Sequence, residues 1–337
     1  MSETTATADR IGAADLERAT RILASVTATY DSRMVGQSSL RRSLLIALIT
    51  GGHILLESVP GLAKTTAAQA LADSVNAGFK RIQCTPDLLP SDIIGSQIYN
   101  AKTASFETQL GPVHSNFVLL DEINRSSAKT QSAMLEAMQE HQTTIGGVHY
   151  PLPSPFLVLA TQNPIEQEGT YHLPEAQLDR FLLKEVLDYP AFEEEIEVLK
   201  RIDAGAYDPE PDGSASTVTT DDVLFLQDVV RRVYIDDAIT HYIVSAVYVT
   251  RHADKYIAPN LADCIEFGAS PRASIAFSRA ARALALLNGR DHVIPEDVKD
   301  LRHAVLRHRL ILGFEAIADG IEPETIIDAV FDAVKAP

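Results

Sequence analysis

The ten residues from Glu57 to Thr66 have the types and the spacing of a loop that binds phosphate groups. They read Glu-Ser-Val-Pro-Gly-Leu-Ala-Lys-Thr-Thr, after an apolar run and before an alanine-rich helical pattern. In such a loop, backbone N–H groups and the dipole of the following helix attract phosphate. Lys64 would reach the outer phosphates, and the hydroxyl of Thr65 would bind Mg²⁺. The residues expected to contact the nucleotide here are Pro60, Gly61, Leu62, Ala63, Lys64, Thr65 and Thr66.

This loop departs from the strict pattern G-x-x-x-x-G-K-S/T, because Ser58 and Ala63 stand where that pattern has glycine. Alanine is small, but it lacks the conformational freedom of glycine. Taken alone, the segment is equally compatible with a surface turn that carries an exposed lysine. Other segments of the chain must therefore decide between the two interpretations.

Two acids follow a second apolar run. Phe117–Leu120 is continued by Asp121 and Glu122, which places both carboxylates at a predicted strand end. Asp121 would hold the Mg²⁺ shell, and Glu122 would orient and polarise an attacking water. Alternation along the strand predicts that the two side chains point in different directions. The alternative is a pair of acids that cap the following helix.

Three further polar residues follow in an order that suits phosphate chemistry. Asn163 comes after a third apolar run, where its amide could bond both the water and the outer phosphate. An asparagine before proline is otherwise a common turn former. Arg180 and Arg272 carry guanidinium groups, which stabilise charge on a transferring phosphoryl group, although each alone could form a surface salt bridge. The order of all these residues favours a nucleoside triphosphatase.

The elements that position these residues alternate between strand and helix. Predicted strands start near Ile54, Phe79, Phe117, Phe156 and Phe181, with helical patterns between several of them. Continuous apolar strands of this kind predict an α/β fold with a parallel sheet covered on both faces. Ligands of such sheets bind at the carboxyl ends of the strands, which the candidate residues follow. Helical patterns at 15–30 and 39–48 precede the first strand.

The chain is predicted to contain two folded domains. We expect a disordered tail at 1–10, a nucleotide-binding core at 11–190, a linker at 191–216 and a small all-α domain at 217–337. Within the core, residues from about 94 to 116 and from about 143 to 150 fit the alternation poorly. Both are predicted to be insertions, and the second contains a two-glycine hairpin signal.

Composition narrows the class of protein. The 337 residues carry a net charge of −17, which repels nucleic acid unless a basic patch overrides it, and no run of four basic residues occurs. No apolar run is long enough for a membrane span, and the N-terminus lacks the features of a secretory signal. Cys84 and Cys264 lie far apart, which fits a reducing cytoplasm. We therefore expect a cytoplasmic protein.

Three segments together resemble the MoxR-type AAA+ ATPases. They are Asp121–Glu140, which reads DEINRSSAKTQSAMLEAMQE, the ATQNP motif at Ala160–Pro164, and Leu173–Phe181. The resemblance covers roughly residues 30–310, and the motifs are long and specific. The phosphate loop of that family tolerates Gly-Leu-Ala-Lys-Thr. The absence of the two glycines is therefore only weak evidence against a phosphate loop in this chain.

The resemblance implies a P-loop AAA+ sheet followed by a helical lid, with ATP and Mg²⁺ as cofactors. Lys64 and Thr65 match the Walker A motif, and Asp121 and Glu122 match Walker B. Asn163 matches sensor 1. Arg180 matches the arginine finger, which in such proteins reaches into the site of the neighbouring subunit. Arg272 matches sensor 2, and Val35-Gly36-Gln37 resembles the segment near the adenine. The two insertions match the helix-2 insert and the pre-sensor-1 hairpin.

A finger that acts in trans implies a homo-oligomeric ring, commonly a hexamer. The family further implies a chaperone-like ATPase that remodels, assembles or activates a client complex, often with a partner that carries a von Willebrand factor A domain. One alternative is a nucleic-acid translocase of the same clade, although the pre-sensor-1 hairpin has no Lys or Arg and the helix-2 insert has only Lys102. The other is a nucleotide-binding scaffold with little turnover, against which the presence of Glu122 argues.

Overall fold

The computed structural model describes residues 10–164, 171, 173–204 and 218–337. The chain divides into two compact units, which are described separately. One unit consists of the described residues within 24–181 and 185–224 and contains the predicted phosphate loop. The other, the C-terminal unit, consists of the described residues within 10–23, 182–184 and 225–337. The predicted core at 11–190 thus differs from the structural division at its N-terminal end, since residues 11–23 group with the C-terminal unit.

A five-stranded sheet with the order β2-β5-β8-β1-β9 forms the centre of the fold. Its strands are β1 (Ile54–Ser58), β2 (Phe79–Gln83), β5 (Phe117–Asp121), β8 (Leu157–Gln162) and β9 (Leu183–Leu187). The pairs β1·β8, β5·β8 and β2·β5 are parallel. The strand order is therefore not the chain order, as expected when helices connect parallel strands across a sheet. This confirms the predicted α/β class and each of the five predicted strands.

The central strands are buried on both faces. Successive residues Ile54, Leu55 and Leu56 all have 0% exposure, and every residue of β5 is buried. Consecutive strand side chains point to opposite faces, so a strand without an exposed position must be covered on both sides. The continuous apolar runs in the sequence have this physical cause.

Helices cover this sheet and connect its strands. They are α1 (Ala13–Arg33), whose N-terminal part belongs to the other unit, α2 (Ser38–Thr50), α3 (Lys64–Ser74), α4 (Pro90–Ile94), α5 (Ala128–Glu140), α6 (Glu175–Leu178) and α7 (Phe192–Asp203). The two helices predicted before the first strand are confirmed as α1 and α2. Helix α5 begins earlier than the apolar pattern alone suggests, because Ser127 caps it by accepting a hydrogen bond from the Thr130 N–H.

Both predicted insertions are antiparallel hairpins. The first pairs β3 (Gly95–Asn100) with β4 (Ser105–Leu110), and the second pairs β6 (Gln142–Ile145) with β7 (Val148–Pro151). The Gly146-Gly147 turn of the second hairpin has positive φ at both residues, which is the two-residue geometry that its sequence predicts. A hydrogen bond of 2.9 Å between the Thr108 and Tyr150 hydroxyls joins the two hairpins.

The prediction of a linker over 191–216 is wrong for its first part, which forms helix α7. Three acids, Glu193–Glu195, occupy the first turn, and Lys200 and Arg201 occupy the last. This distribution complements the helix dipole and favours a helix. Pro190 and the glycines and prolines after residue 204 are typical of turns and linkers, and they outweigh the helical pattern in the sequence-based prediction. Residues 205–216 of the predicted linker lie outside the described residues.

The C-terminal unit is mainly helical, as predicted. Its helices are α8 (Thr220–Arg232), which starts before the unit boundary, α9 (Asp237–Arg251), α10 (Pro259–Ala262), α11 (Pro271–Leu287), α12 (Pro295–Asp300), α13 (Arg302–Leu306), α14 (Phe314–Ala318) and α15 (Pro323–Ala333). The prediction of an all-α domain needs one correction, because β10 (Ile265–Phe267) and β11 (Ile311–Leu312) form a small antiparallel sheet. These strands are two or three residues long, too short to give a period-2 signal.

Candidate active site

The sheet topology brings three of the predicted site segments to one edge. Strand β8 lies between β1 and β5, and all three run parallel. The carboxyl end of β1 leads into the phosphate loop, that of β5 carries Asp121, and that of β8 leads to Asn163. Asn163 is buried, with 4% exposure. The positions of these segments therefore follow from strand order rather than from sequence spacing.

The loop between β1 and α3 has left-handed backbone at two positions. Gly61 has φ of 89°, and Ala63, the residue before α3, has φ of 51° and ψ of 27°. Lys64 and Thr65 are then the first two residues of α3, whose opening N–H groups have no partner within the helix itself. The loop thus presents its N–H groups and the helix dipole, as a phosphate site requires.

The left-handed conformation at Ala63 provides a test of the departure from the strict glycine pattern. A non-glycine residue there is disfavoured by roughly 1–2 kcal/mol, while glycine costs about 0.4–1 kcal/mol through the greater entropy of the unfolded chain. We expect Ala63→Gly to raise the thermal midpoint slightly or leave it unchanged, by a net stabilisation of up to about 1 kcal/mol. Ala63→Val is the matched contrast and should lower the midpoint, because a β-branched residue fits this conformation poorly. A clear loss of stability in the glycine variant would contradict the assignment.

Lys64 lies within electrostatic reach of both candidate acids. Burial lowers the pKa of Lys64 below its usual value, while the charges of Asp121 and Glu122 act in the opposite direction. The ammonium group lies 3.5 Å from the carbonyl oxygen of Ser58, at the outer limit of a hydrogen bond. The structure therefore brings the lysine that follows β1 and the two acids at the carboxyl end of β5 into one site.

Asp121 is the last residue of β5, is 8% exposed and is held from both neighbouring strands. Its Oδ1 accepts a hydrogen bond of 2.8 Å from the Thr161 hydroxyl of β8. Its Oδ2 accepts bonds of 2.5 and 3.1 Å from the guanidinium of Arg81 on β2. No pattern in the sequence points to Arg81, because only the pairing of β2 with β5 places it beside the acid.

Glu122 does not continue β5, so the strand alternation predicted for the two acids does not apply to it. It lies beyond the end of β5 in a left-handed conformation, with φ of 58° and ψ of 52°, and precedes a 3₁₀ turn at Ile123–Arg125. The Glu122 carboxylate accepts a hydrogen bond of 3.2 Å from the Gln83 side chain and forms a 3.2 Å ion pair with Arg125.

A cavity of about 410 Å³ adjoins the phosphate loop. Its lining is mainly apolar and consists of Met34, Val35, Gln37, Pro60, Gly61, Leu62, Ala63, Tyr189, Pro190, Glu195, Val198 and Leu199. The structure therefore brings the predicted adenine segment and the phosphate loop to one cavity. Gln37 itself has φ of 52° and donates a hydrogen bond of 2.9 Å from its side chain to the carbonyl oxygen of Asp188.

Helix α7 forms one wall of this cavity, although its residues were predicted to form a linker. Arg201 of α7 donates hydrogen bonds of 3.0–3.3 Å to the carbonyl oxygens of Asp31, Ser32 and Met34, which lead into the adenine segment. Gly36 has a left-handed φ of 66°, which favours glycine, and a Cβ atom there would also lie 2.3 Å from the carboxyl group of Glu194. The apolar spacing of Phe192, Ile196 and Leu199 is the sequence signal that could have revealed the helix.

The two predicted arginines do not line this cavity. Arg180 lies in a separate cleft of about 530 Å³, bordered by α5 and the β6–β7 hairpin, and shares no lining residue with the nucleotide cavity. Its guanidinium donates to the carbonyl oxygen of Leu135 and to the side chain of Gln139. Arg272 is the second residue of α11 in the other unit.

Comparison with known proteins agrees with this geometry. Residues 53–183 match the model of the ATPase family associated with various cellular activities (AAA), and residues 257–330 match that of the AAA lid domain. The chain is 49% identical over 304 residues to the chaperone MoxR1 of Mycobacterium tuberculosis, covering 90% of this chain and 79% of that protein. It is also 49% identical to the protein YeaC of Bacillus subtilis, covering 90% and 91% of the two chains.

A crystal structure of a candidate ATPase from Cytophaga hutchinsonii superposes with a TM-score of 0.88. The two sequences are 46% identical, and the match covers 96% of this chain and 97% of the other. The similarity thus extends over both structural units, from the phosphate loop to the helical lid. On this evidence the chain belongs to the MoxR-type AAA+ ATPases, a nucleotide-binding family.

Proposed function

We propose that this protein hydrolyses ATP with Mg²⁺ and uses the energy to remodel, assemble or activate a client protein complex. The observation that carries the proposal is the meeting of Lys64, Asp121 and Glu122 at one edge of the sheet, beside an apolar cavity. This combination supplies a phosphate site, a metal ligand and a general base. Membership of the family supports nucleotide binding.

The cavity suits the base and ribose of ATP. Its volume of about 410 Å³ falls within the range of small-molecule sites, roughly 300–1,000 Å³, and its apolar lining suits a flat aromatic ring. Residues Pro60–Ala63 line the cavity and also lead into the start of α3. A nucleotide with its base in the cavity would therefore have its phosphates at the N–H groups and at Lys64.

The residues present fit a magnesium ion. Thr65 offers a hydroxyl and Asp121 a carboxylate, and Mg²⁺ prefers such oxygen ligands. When bound, Mg²⁺ neutralises charge that develops on the phosphate oxygens. The carboxylate of Asp121 is already oriented by hydrogen bonds from Thr161 and Arg81. Among the described residues, no group of three or more His, Cys, Asp or Glu side chains could form a metal site. Thr65 and Asp121 are the proposed protein ligands of the metal, with nucleotide and water as the remaining ligands.

Glu122 and Asn163 would handle the attacking water. Glu122 would accept the proton of the water, and the buried amide of Asn163 would hydrogen-bond the water and the outer phosphate. Gln83 and Arg125 contact the Glu122 carboxylate and limit its motion. Arg272 would act from the lid on the nucleotide of its own subunit, as sensor 2 does in the family that the chain resembles.

The location of Arg180 supports a ring. The side chain lies in a cleft distinct from the nucleotide cavity, although both are formed by the same unit. An arginine that stabilises transferring phosphate from such a location would serve the site of a neighbouring subunit. We therefore propose a homo-oligomeric ring, commonly a hexamer, in which each subunit completes the site of the next.

A role on other proteins is supported by the relatives. MoxR1 of Mycobacterium tuberculosis is described as a chaperone. We propose a similar role here, exerted on a client complex and assisted by a partner that carries a von Willebrand factor A domain.

None of the described helices is long and apolar enough to cross a membrane. We propose a cytoplasmic location.

The test of this function is binding and turnover of ATP by the purified assembly. Wild-type protein with Mg²⁺ should bind a slowly hydrolysed ATP analogue and should release phosphate from ATP. Lys64→Ala is the control, because it removes the charge that would contact the outer phosphates and should weaken both. An empty site at saturating analogue would refute the proposal.

The alternative function is that of a nucleic-acid translocase of the same clade. The scarcity of basic residues in the two hairpins argues against it. Between residues 94 and 116 the only lysine or arginine is Lys102, and the β6–β7 hairpin contains none. A cationic surface is what contact with phosphate backbones requires. Stimulation of phosphate release by DNA or RNA that disappears at high salt would restore this alternative.

A further inference from the structure

We infer that Thr161 is a positioning residue for the proposed ATPase reaction, whose single hydroxyl fixes the orientation of both the metal-binding Asp121 and the water-activating Glu122. The inference rests on the proposed function and extends it to a residue with no role assigned so far. Thr161 lies in β8, one residue after Ala160, which pairs with Leu120 of β5. This register places its side chain beside the two acids.

The hydroxyl of Thr161 makes two hydrogen bonds of opposite sense. It lies 2.8 Å from the backbone nitrogen of Glu122, which can only donate, so the hydroxyl oxygen accepts there. It lies 2.8 Å from Oδ1 of Asp121, which as a carboxylate can only accept, so the hydroxyl proton is directed to that oxygen. Thr161 has 0% exposure, so water cannot readily replace either partner.

The bond to Asp121 acts together with Arg81. Thr161 holds Oδ1 from the β8 side, and Arg81 holds Oδ2 from the β2 side with bonds of 2.5 and 3.1 Å. A carboxylate held at both oxygens cannot rotate freely. Without the threonine hydroxyl, Arg81 alone would hold the carboxylate, and it does so from a half-exposed position. Orienting bonds of this kind typically change metal affinity or activity by about 10–100-fold.

The bond to Glu122 fixes the backbone from which the second carboxylate projects. Glu122 has the left-handed φ of 58°, which is uncommon for a residue other than glycine and persists only where the surroundings hold it. Its N–H is held by Thr161, while its carboxylate lies against Gln83 and Arg125. Loss of the threonine hydroxyl would leave this half-buried N–H without that partner, and the direction of the Glu122 carboxylate would no longer be fixed from its backbone.

The inference predicts a defect in metal use that leaves the phosphate loop intact. Thr161→Val has nearly the same shape but no hydroxyl, whereas Thr161→Ser keeps the hydroxyl and loses only a methyl group. With a fluorescent, slowly hydrolysed ATP analogue in EDTA, both variants should bind like the wild type. The Mg²⁺ concentration for half-maximal turnover should rise about 10–100-fold in the valine variant, with a similar fall in kcat. The serine variant should restore both values to near those of the wild type.

A readout without turnover completes the test. Titration of Mn²⁺ into each protein with the bound analogue, followed by the EPR signal of free Mn²⁺, reports the metal affinity directly. The valine variant should bind Mn²⁺ about 10–100-fold more weakly than the serine variant. If the valine variant does not fold, Thr161→Ala serves in its place, because it removes the hydroxyl without placing a second methyl group beside the carboxylate.

Three outcomes separate this inference from the function on which it rests. A wild-type protein that binds no analogue would overturn both. A folded valine or alanine variant with the wild-type Mn²⁺ affinity and kcat would overturn the role of Thr161 and leave the ATPase proposal standing. A serine variant as impaired as the valine variant would also overturn it, since the hydroxyl would then not be the cause.

Discussion

Replacement of Glu122 by glutamine should leave ATP bound while phosphate release falls by about 10²–10⁴-fold. The glutamine amide has nearly the same shape as the carboxylate but cannot accept a proton from water. Lys64 and Thr65 at the start of α3 are unchanged, so phosphate binding should persist. The measurement is single-turnover phosphate release, alongside equilibrium binding of ATP to the same preparation.

The control for this variant is Glu17→Gln, which makes the same charge change in an exposed residue whose ion pair is with Arg21. It should release phosphate at the wild-type rate. Equal rates for the wild type and Glu122→Gln would instead favour a nucleotide-binding scaffold with little turnover. If the variant traps ATP as expected, it would also retain its client, and pull-down with it becomes a way to identify that complex.

Replacement of Arg180 by alanine should preserve ATP binding and reduce hydrolysis by about 10³-fold or more, as the loss of arginine fingers does in other phosphoryl-transfer enzymes. The physical reason is the loss of a guanidinium group that neutralises charge in the transition state. Arg180→Lys retains the charge without the planar fork and should recover only part of the rate. The comparison of kcat with nucleotide affinity checks this expectation.

Mixed rings test whether Arg180 acts in trans. Lys64→Ala subunits carry an intact arginine and a defective site, whereas Arg180→Ala subunits carry the reverse. When the two are mixed, some interfaces pair an intact arginine with an intact site, so part of the activity should return. Mixed assemblies with no more activity than either variant alone would argue that Arg180 acts within its own subunit or not at all. Mass measurement should verify that subunits exchange.

Much of the fold could be predicted because its signals are local. Buried strands need continuous apolar runs, and the turn before α3 needs Gly61 and a following Lys-Thr pair, so each can be recognised within a few residues. The assignment of Asp121 and Glu122 to a strand end follows from the same kind of pattern. The predicted alternation of their side chains along the strand does not apply, because the structure places Glu122 in a left-handed conformation after the strand.

Helix α7 shows where local signals compete. Its charges and apolar spacing favour a helix, but it lies between Pro190 and a segment rich in glycine and proline, which favours a linker. Its contribution to the nucleotide cavity depends on Arg201, which bonds to carbonyl groups about 170 residues earlier in the chain. A contact over such a separation leaves no periodic signal in a single sequence.

The sequence by itself determined the α/β class, the strand ends and the identity of the residues that could handle a nucleotide, because these depend on side-chain type and on short-range pattern. The tertiary structure decided which residues stand beside them. Strand order places β8 between β1 and β5, and the register of β2, β5 and β8 brings Arg81 and Thr161 to Asp121. Strand pairing is a non-local choice made by the burial of the whole sheet, so no single segment contains it.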